Sequence, residues 1–117
     1  MKRKYSRSKY NAKKTKVDEI TFDSKKEANR YQELKLLQKA KHISDLILQP
    51  VFELLPTQKY KGETLRKLTY KADFQYMDNL SGDKVVEDVK GFKTAVYTIK
   101  KKLFIDKYGD DYDFREV

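Results

Sequence analysis

Residues 68–90 read LTYKADFQYMDNLSGDKVVEDVK. Leu68, Tyr70, Ala72, Phe74 and Tyr76 alternate with Thr69, Lys71, Asp73, Gln75 and Met77. A period of two marks a strand with one buried face. Asn79 to Gly82 have turn chemistry, and KVVEDVK, residues 84–90, forms the partner strand, closed by Gly91. If Asp78 stands opposite Asp83, Asp73 falls opposite Asp88 and Lys71 opposite Lys90. Opposed side chains have Cβ atoms about 4.5–5.5 Å apart, and like charges there are destabilising. Asp88 and Lys90 share a strand face because side chains alternate along a strand. Two opposed aspartates beside lysines suit a divalent cation such as Mg2+, which takes hard oxygen ligands. An exposed sheet face whose charges neutralise one another diagonally is the plainer alternative.

Upstream, Ile20-Thr21-Phe22 is extended in character. Asp23-Ser24 then offers caps to a run of good helix formers, which predicts a helix over residues 24–41. Pro50 suits the edge or start of a strand continued by Val51 to Leu55, and Gly62 lies in a polar loop or hairpin tip over residues 57–67. Downstream, residues 93–108 have helical spacing, with Phe92, Val96, Ile99 and Leu103 at i, i+4, i+7 and i+11, and Gly109 is a natural stop. The last stretch, YDFREV, reads as a strand. The predicted order is α-β-β-β-α-β, an α/β (α+β) class with a mixed sheet flanked by helices.

The composition narrows the chemistry. At 117 residues the chain is one domain by size, and its 13% aromatic content argues against wholesale disorder. It has no cysteine and one histidine, His42, so disulfides, thiol nucleophiles, zinc fingers and two-histidine sites are excluded. The 4 glycines match neither a P-loop nor a dinucleotide fingerprint. There is no apolar run of membrane-spanning length, which removes a membrane as partner, and no apolar stretch of a secretory signal near the start. These features lead to the expectation of a cytoplasmic protein.

The net charge of +9 is concentrated in residues 1–16. Lys2, Arg3, Lys4, Arg7, Lys9, Lys13, Lys14 and Lys16 supply 8 positive charges there without one acid. The rest of the chain is nearly neutral. Residues 1–16 therefore read as a disordered arm that meets nucleic-acid phosphates, with residues 17–117 as the folded domain. In the second helix, Lys93, Tyr97, Lys100 and Lys101 share one side at spacings of i+4, i+7 and i+8, either as a solvated face or as one that meets phosphates.

Glu27 adds another carboxylate. Glu27 has capping-box spacing to Ser24, yet also shares a stripe with Tyr31 and Leu34. Glu33 shares an equivalent stripe with Leu37 and Ala40, so spacing leaves the choice open.

With an early helical Glu, an Asp on the second core strand and an acid-x-Lys on the third, the chain resembles the PD-(D/E)XK nuclease superfamily. More narrowly, SKKEANRYQELKLLQKAKHISDLILQPVFEL, YKADFQY and VVEDVKGFKTAVYTIKKKLF look like a small phage- and prophage-encoded endonuclease family. The resemblance spans roughly residues 20–117. It implies a restriction-endonuclease-like core and Mg2+-dependent hydrolysis of DNA phosphodiesters, with Mn2+ as a substitute ion, in a bacterial host cell. It assigns Asp73, Asp88 and the Val89 carbonyl to the metal, with Glu27 as the helical acid that reaches the metal through water and Lys90 as the catalytic lysine. Ala72 stands where the pattern's Pro would, and Asp88 has a shorter arm than the commoner Glu. A homodimer would bring two such sites to paired nicks. A non-catalytic nucleic-acid-binding module is the rival function, although a pure binder gains nothing from acids turned toward phosphate.

Overall fold

The computed structural model describes residues 13–90 and 93–117. Lys2, Arg3, Lys4, Arg7 and Lys9 of the basic arm, together with Gly91 and Phe92, lie outside the described residues. A hairpin is made by β1 (Thr15–Val17) and β2 (Ile20–Phe22), so Thr15 and Lys16, expected in the arm, lie in a strand. Val17 and Ile20 pack on the core, which supplies the burial that Lys13 and Lys14 lack. Helix α1 (Lys25–Lys39) follows, then β3 (Ile43–Leu48), β4 (Val51–Leu55), β5 (Gln58–Tyr60), β6 (Glu63–Leu65), β7 (Leu68–Lys71), β8 (Phe74–Asp78) and β9 (Lys84–Asp88). Helix α2 (Ala95–Tyr108) and β10 (Asp113–Glu116) complete the described chain.

The architecture is mixed α and β. A four-stranded sheet has the order β10-β9-β8-β3, with β10 parallel to β9 and the other neighbours antiparallel. A two-stranded sheet, β4-β7, continues it across a bend. There Gln49 N–H donates to the Asp73 carbonyl (2.9 Å) and Ala72 N–H to the Pro50 carbonyl (3.0 Å). Joined in this way, β3–β4 and β7–β8 act as two long bent strands, and the order α-β-β-β-α-β follows. No helix among the described residues is long and apolar enough to cross a membrane.

The central hairpin has the register expected from its turn. Phe74 pairs with Glu87 and Met77 with Lys84, and Asp78 N–H donates to the Asp83 carbonyl (2.8 Å). Its burial differs from the simple alternation. Phe74 and Tyr76 pack with Phe22, Tyr31, Leu34 and Val85 in a core under α1. Tyr70 and Ala72 pack with Phe52, Val86 and Phe104 in a second core under α2. The bend at Ala72–Asp73 passes one strand's apolar side from the first core to the second. It also ends the ladder before Lys90, so Lys71 pairs with Val51 instead of Lys90.

Each helix has a local start signal. Ser24 Oγ accepts the Glu27 N–H (3.1 Å), and Thr94 Oγ1 accepts the Tyr97 N–H (3.0 Å), satisfying donors that a helix N-terminus leaves free. The buried stripe of α2 is displaced from the expected one. Val96 and Ile99 are 61% and 57% exposed, while Tyr97 and Phe104 are buried. Rings bury more apolar area than branched aliphatic side chains do. Phe104 sits 4.9 Å from the Phe52 ring and 5.6 Å from the Tyr70 ring, so this aromatic cluster sets the helix rotation.

Candidate active site

Asp73 occupies the bend between β7 and β8. Its N–H donates to the Glu87 carbonyl (3.2 Å), and its Oδ2 accepts the Val89 N–H (2.7 Å). Asp88, the last residue of β9, is buried, and its Oδ2 accepts the Tyr70 hydroxyl. The two aspartates meet. Burial pushes the Asp73 carboxyl up to about 8, aided by the hydrogen bond and charge of Asp88 and by the charge of Glu27, against the opposing Val89 N–H. Tyr70 is pushed upward by burial and by Asp88.

Glu27 lies in the first turn of α1, is 5% exposed, and its Oε2 is buried without a hydrogen-bond partner. Burial raises its carboxyl, and the charges of Asp23 and Asp88 add to the rise. Glu33, its rival by spacing, has a largely exposed side chain whose Oε1 pairs with Arg30 Nη1 (2.9 Å). The fold thus brings Glu27, and not Glu33, to the aspartates.

Lys90 Nζ stands 3.3 Å from Asp88 Oδ1 and 4.0 Å from the centre of the Tyr97 ring. Its backbone is fixed from two sides. Lys90 N–H donates to the Val117 carbonyl (3.0 Å), and its own carbonyl accepts Lys26 Nζ (2.8 Å). Tyr70, Lys71, Asp88, Lys90, Tyr97 and Lys100 line a depression of about 260 Å3 here. A wider groove of about 680 Å3, lined by Val17, Tyr31, Lys35 and Leu36 among others, contains none of these carboxylates.

Among the described residues, no three His, Cys, Asp or Glu side chains are gathered into a ready-made metal cluster. What the fold does assemble is a coupled aspartate pair, a neighbouring buried Glu oxygen without a partner, and a lysine. Val89 contributes its N–H to Asp73.

A family model described as protein of unknown function, DUF1064, matches residues 7–115. The chain belongs to that family. No curated protein and no solved structure matches it.

The remaining basic candidates of this DUF1064 chain are dispersed. Tyr97 is 8% exposed, its hydroxyl donates to Glu116 Oε2 (2.5 Å), and it meets Lys100 in the lining of the depression instead of on an open helix face. Its ring completes the aromatic core, which a position on the solvent side would forfeit. Lys93 and Lys101 both pair with Glu116 Oε1, at 3.2 and 3.3 Å, while Lys100 lines the depression. At the other end, Lys14 pairs with Asp23 (3.2 Å) and Lys16 with Glu19 (3.4 Å), and Lys13 is exposed.

Sequence reasoning missed Glu87, which is wholly buried in this DUF1064 domain. Arg30 Nε donates to Glu87 Oε2 (2.6 Å), Arg30 Nη2 to Oε1 (3.0 Å) and the Tyr76 hydroxyl to Oε1 (2.7 Å). The available signal was strand alternation. Glu87 lies between Val86 and Asp88 and so faces α1, whose Arg30 follows Glu27 by three residues.

The Tyr97 hydroxyl first, and then Lys93 and Lys101, hold Glu116 down to about 2. A carboxyl with a lowered folded pKa contributes stability above its unfolded value, and that contribution is lost as pH falls through the folded value. Glu116→Gln is therefore expected to lower Tm at neutral pH. The gap to wild type should close between about pH 4.5 and 2. Melting curves across that range at low salt check it, and a gap that stays constant down to pH 2 contradicts it.

Proposed function

We propose that this protein is a divalent-metal-dependent DNA endonuclease of the PD-(D/E)XK type that its sequence resembles, working on phage or prophage DNA in the bacterial cytoplasm. The observation that carries this reading is the meeting of Asp73 and Asp88 beside the unpartnered, buried Glu27 oxygen, with Lys90 alongside. Burying like charges together is costly without a compensating cation. A hard oxygen donor set fits Mg2+ or Mn2+, so Asp73, Asp88 and the Val89 carbonyl would hold the ion, with Glu27 reaching it through water. When bound, such an ion supplies charge neutralisation at the phosphate and acidifies a coordinated water.

The protein's own groups do the rest. Asp73 is kept in place by the Val89 N–H and by the bend. Asp88 is held by the Tyr70 hydroxyl. Lys90 brings an N–H donor and a positive charge to the carboxylates, as needed to orient an attacking water and to offset charge that builds on phosphate oxygens. The packing of its Nζ over the Tyr97 ring limits the side chain's freedom before substrate arrives.

Nicking of supercoiled plasmid with Mg2+ or Mn2+, against an EDTA control, tests the proposal. Metal-dependent nicking by wild type and a loss of about 10²–10³-fold in Lys90→Ala are expected. DNA binding without nicking under any divalent ion would leave the non-catalytic binding module as the better reading.

Glu27→Gln separates metal ligation from helix capping. Gln retains the capping geometry of a first-turn residue but carries no negative charge. Glu27→Gln is expected to lower nicking at least about tenfold, a loss of about 1.4 kcal/mol in transition-state stabilisation. Glu33→Gln should remain within twofold of wild type. The reverse ranking would move the role to Glu33.

A further inference from the structure

The body of the protein makes no use of the ribbon formed by β5 and β6. All six strand residues are exposed, and among the described residues no other element packs extensively against them. An isolated two-stranded hairpin is marginal in water, so this one depends on its turn and base. Lys61 and Gly62 both have positive φ (49° and 81°), the two-residue geometry that matches strand twist. At the base, Lys67 N–H donates to Thr57 Oγ1 (3.1 Å).

The surface of this ribbon is one-sided in charge. Lys59, Lys61, Arg66 and Lys67 are opposed by Glu63 alone. Tyr60 and Leu65 stand 59% and 41% exposed on one face, and Lys61 Nζ lies 5.4 Å from the Tyr60 ring centre. Apolar area and cations are thus offered together where no protein covers them. The ribbon also continues β4–β7, which leads directly to the bend holding Asp73. At about 3.3 Å per residue, the chain between Asp73 and Gly62 spans at most about 36 Å. That is close to one turn of duplex DNA.

We propose that the β5–β6 hairpin is a duplex-DNA-contacting arm that engages DNA up to one helical turn from the carboxylate site. Lys59, Lys61, Arg66 and Lys67 meet phosphates, and the Tyr60–Leu65 face lies against the groove wall. The B-DNA major groove admits a two-stranded ribbon, whereas that of A-form RNA is too narrow. The choice of DNA as the polyanion rests on the nuclease reading; the charge and projection of the hairpin do not.

The test uses the full chain in EDTA, so that binding is read without cleavage. Fluorescence anisotropy follows a labelled DNA duplex of about 30 bp, three helical turns, across a salt series. The variant Lys59→Ala/Lys61→Ala/Arg66→Ala/Lys67→Ala is expected to weaken binding at least about tenfold at low salt and to reduce the slope of log K against log salt by about 2–4. Its Tm should match wild type, because among the described residues no other element packs extensively against the hairpin. Should it melt early, the pair Lys59→Gln/Lys61→Gln reads the same slope, with a drop of about 1–2. Unchanged affinity and slope would overturn the proposal. So would absence of duplex binding by wild type, or a loss seen only on duplex RNA or on phosphatidylserine vesicles. Plasmid nicking is scored separately. A wild type that binds DNA through the hairpin but never nicks sinks only the nuclease reading, and one that nicks while the hairpin variant binds normally sinks only the arm.

Discussion

Asp73→Asn is expected to abolish metal-dependent nicking and, at the same time, to stabilise the metal-free protein. Asparagine retains an oxygen for the Val89 N–H and gains an N–H that can donate to Asp88, while the carboxyl that would have to ionise beside Asp88 disappears. Asp73 holds its proton up to about pH 8 in the folded protein, far above its ordinary 3.8. A carboxyl whose folded pKa is raised favours folding most at low pH, and that contribution is lost as pH rises from the unfolded value through the folded one. The variant lacks this loss. Its advantage over wild type should be small near pH 4, grow by up to about 1.4 kcal/mol per pH unit and level off above about 8. Mg2+ should narrow the gap. Wild type gains about 1.4 kcal/mol at an ion concentration ten times Kd, and the variant gains little. Melting curves with Mg2+ and with EDTA at several pH values read both effects. A variant that is less stable than wild type without metal, and still nicks, would show that Asp73 is a structural charge. Asp88→Asn is a less clean version, because Asp88 also pairs with Lys90 and accepts the Tyr70 hydroxyl.

The largest loss of stability is expected from Arg30→Met. Arg30 grips the wholly buried Glu87 with two hydrogen bonds. Methionine preserves much of the side chain's volume but leaves a carboxylate under α1 with only the Tyr76 hydroxyl for company. Breaking a buried pair in this way costs about 3–5 kcal/mol. For a domain of this size that lowers Tm by roughly 10–20 °C. Arg30→Met/Glu87→Gln should recover most of the loss, since removal of both charges leaves no uncompensated ion. A single variant within about 2 °C of wild type would mean that water reaches Glu87 freely. Neither substitution touches a residue proposed to hold metal, so this measurement bears on the fold and leaves the nuclease reading to the nicking assay.

The features legible in the sequence are those decided by neighbours along the chain. The turn at Asn79–Gly82 set the pairing of β8 with β9 and so brought Asp73 toward Asp88, because a hairpin's register follows from its loop. Ser24 marked the start of α1, since an N-cap is a matter of three residues. The mixed α and β class followed from the order of such local signals.

Tertiary packing decided what periodicity left open. The alternation over residues 68–77 describes an apolar side but not a bend, and only the two cores show that Asp73 lies where that side changes partners. The rotation of α2 depended on which side chains found the deepest burial. Phe104 and Tyr97 outcompeted Val96 and Ile99, which turned Tyr97 from a surface candidate into the ring beneath Lys90. Glu27 and Glu33 have equivalent spacing, yet the docking of α1 on the sheet buries one beside the aspartates and exposes the other to pair with Arg30. The Glu87–Arg30 pair joins residues 57 positions apart, a separation at which local pattern carries no information about contact. Local hydrogen bonding and side-chain period are properties of the sequence by itself; which face meets which, and where a charge is stripped of water, depend on the whole chain packing at once.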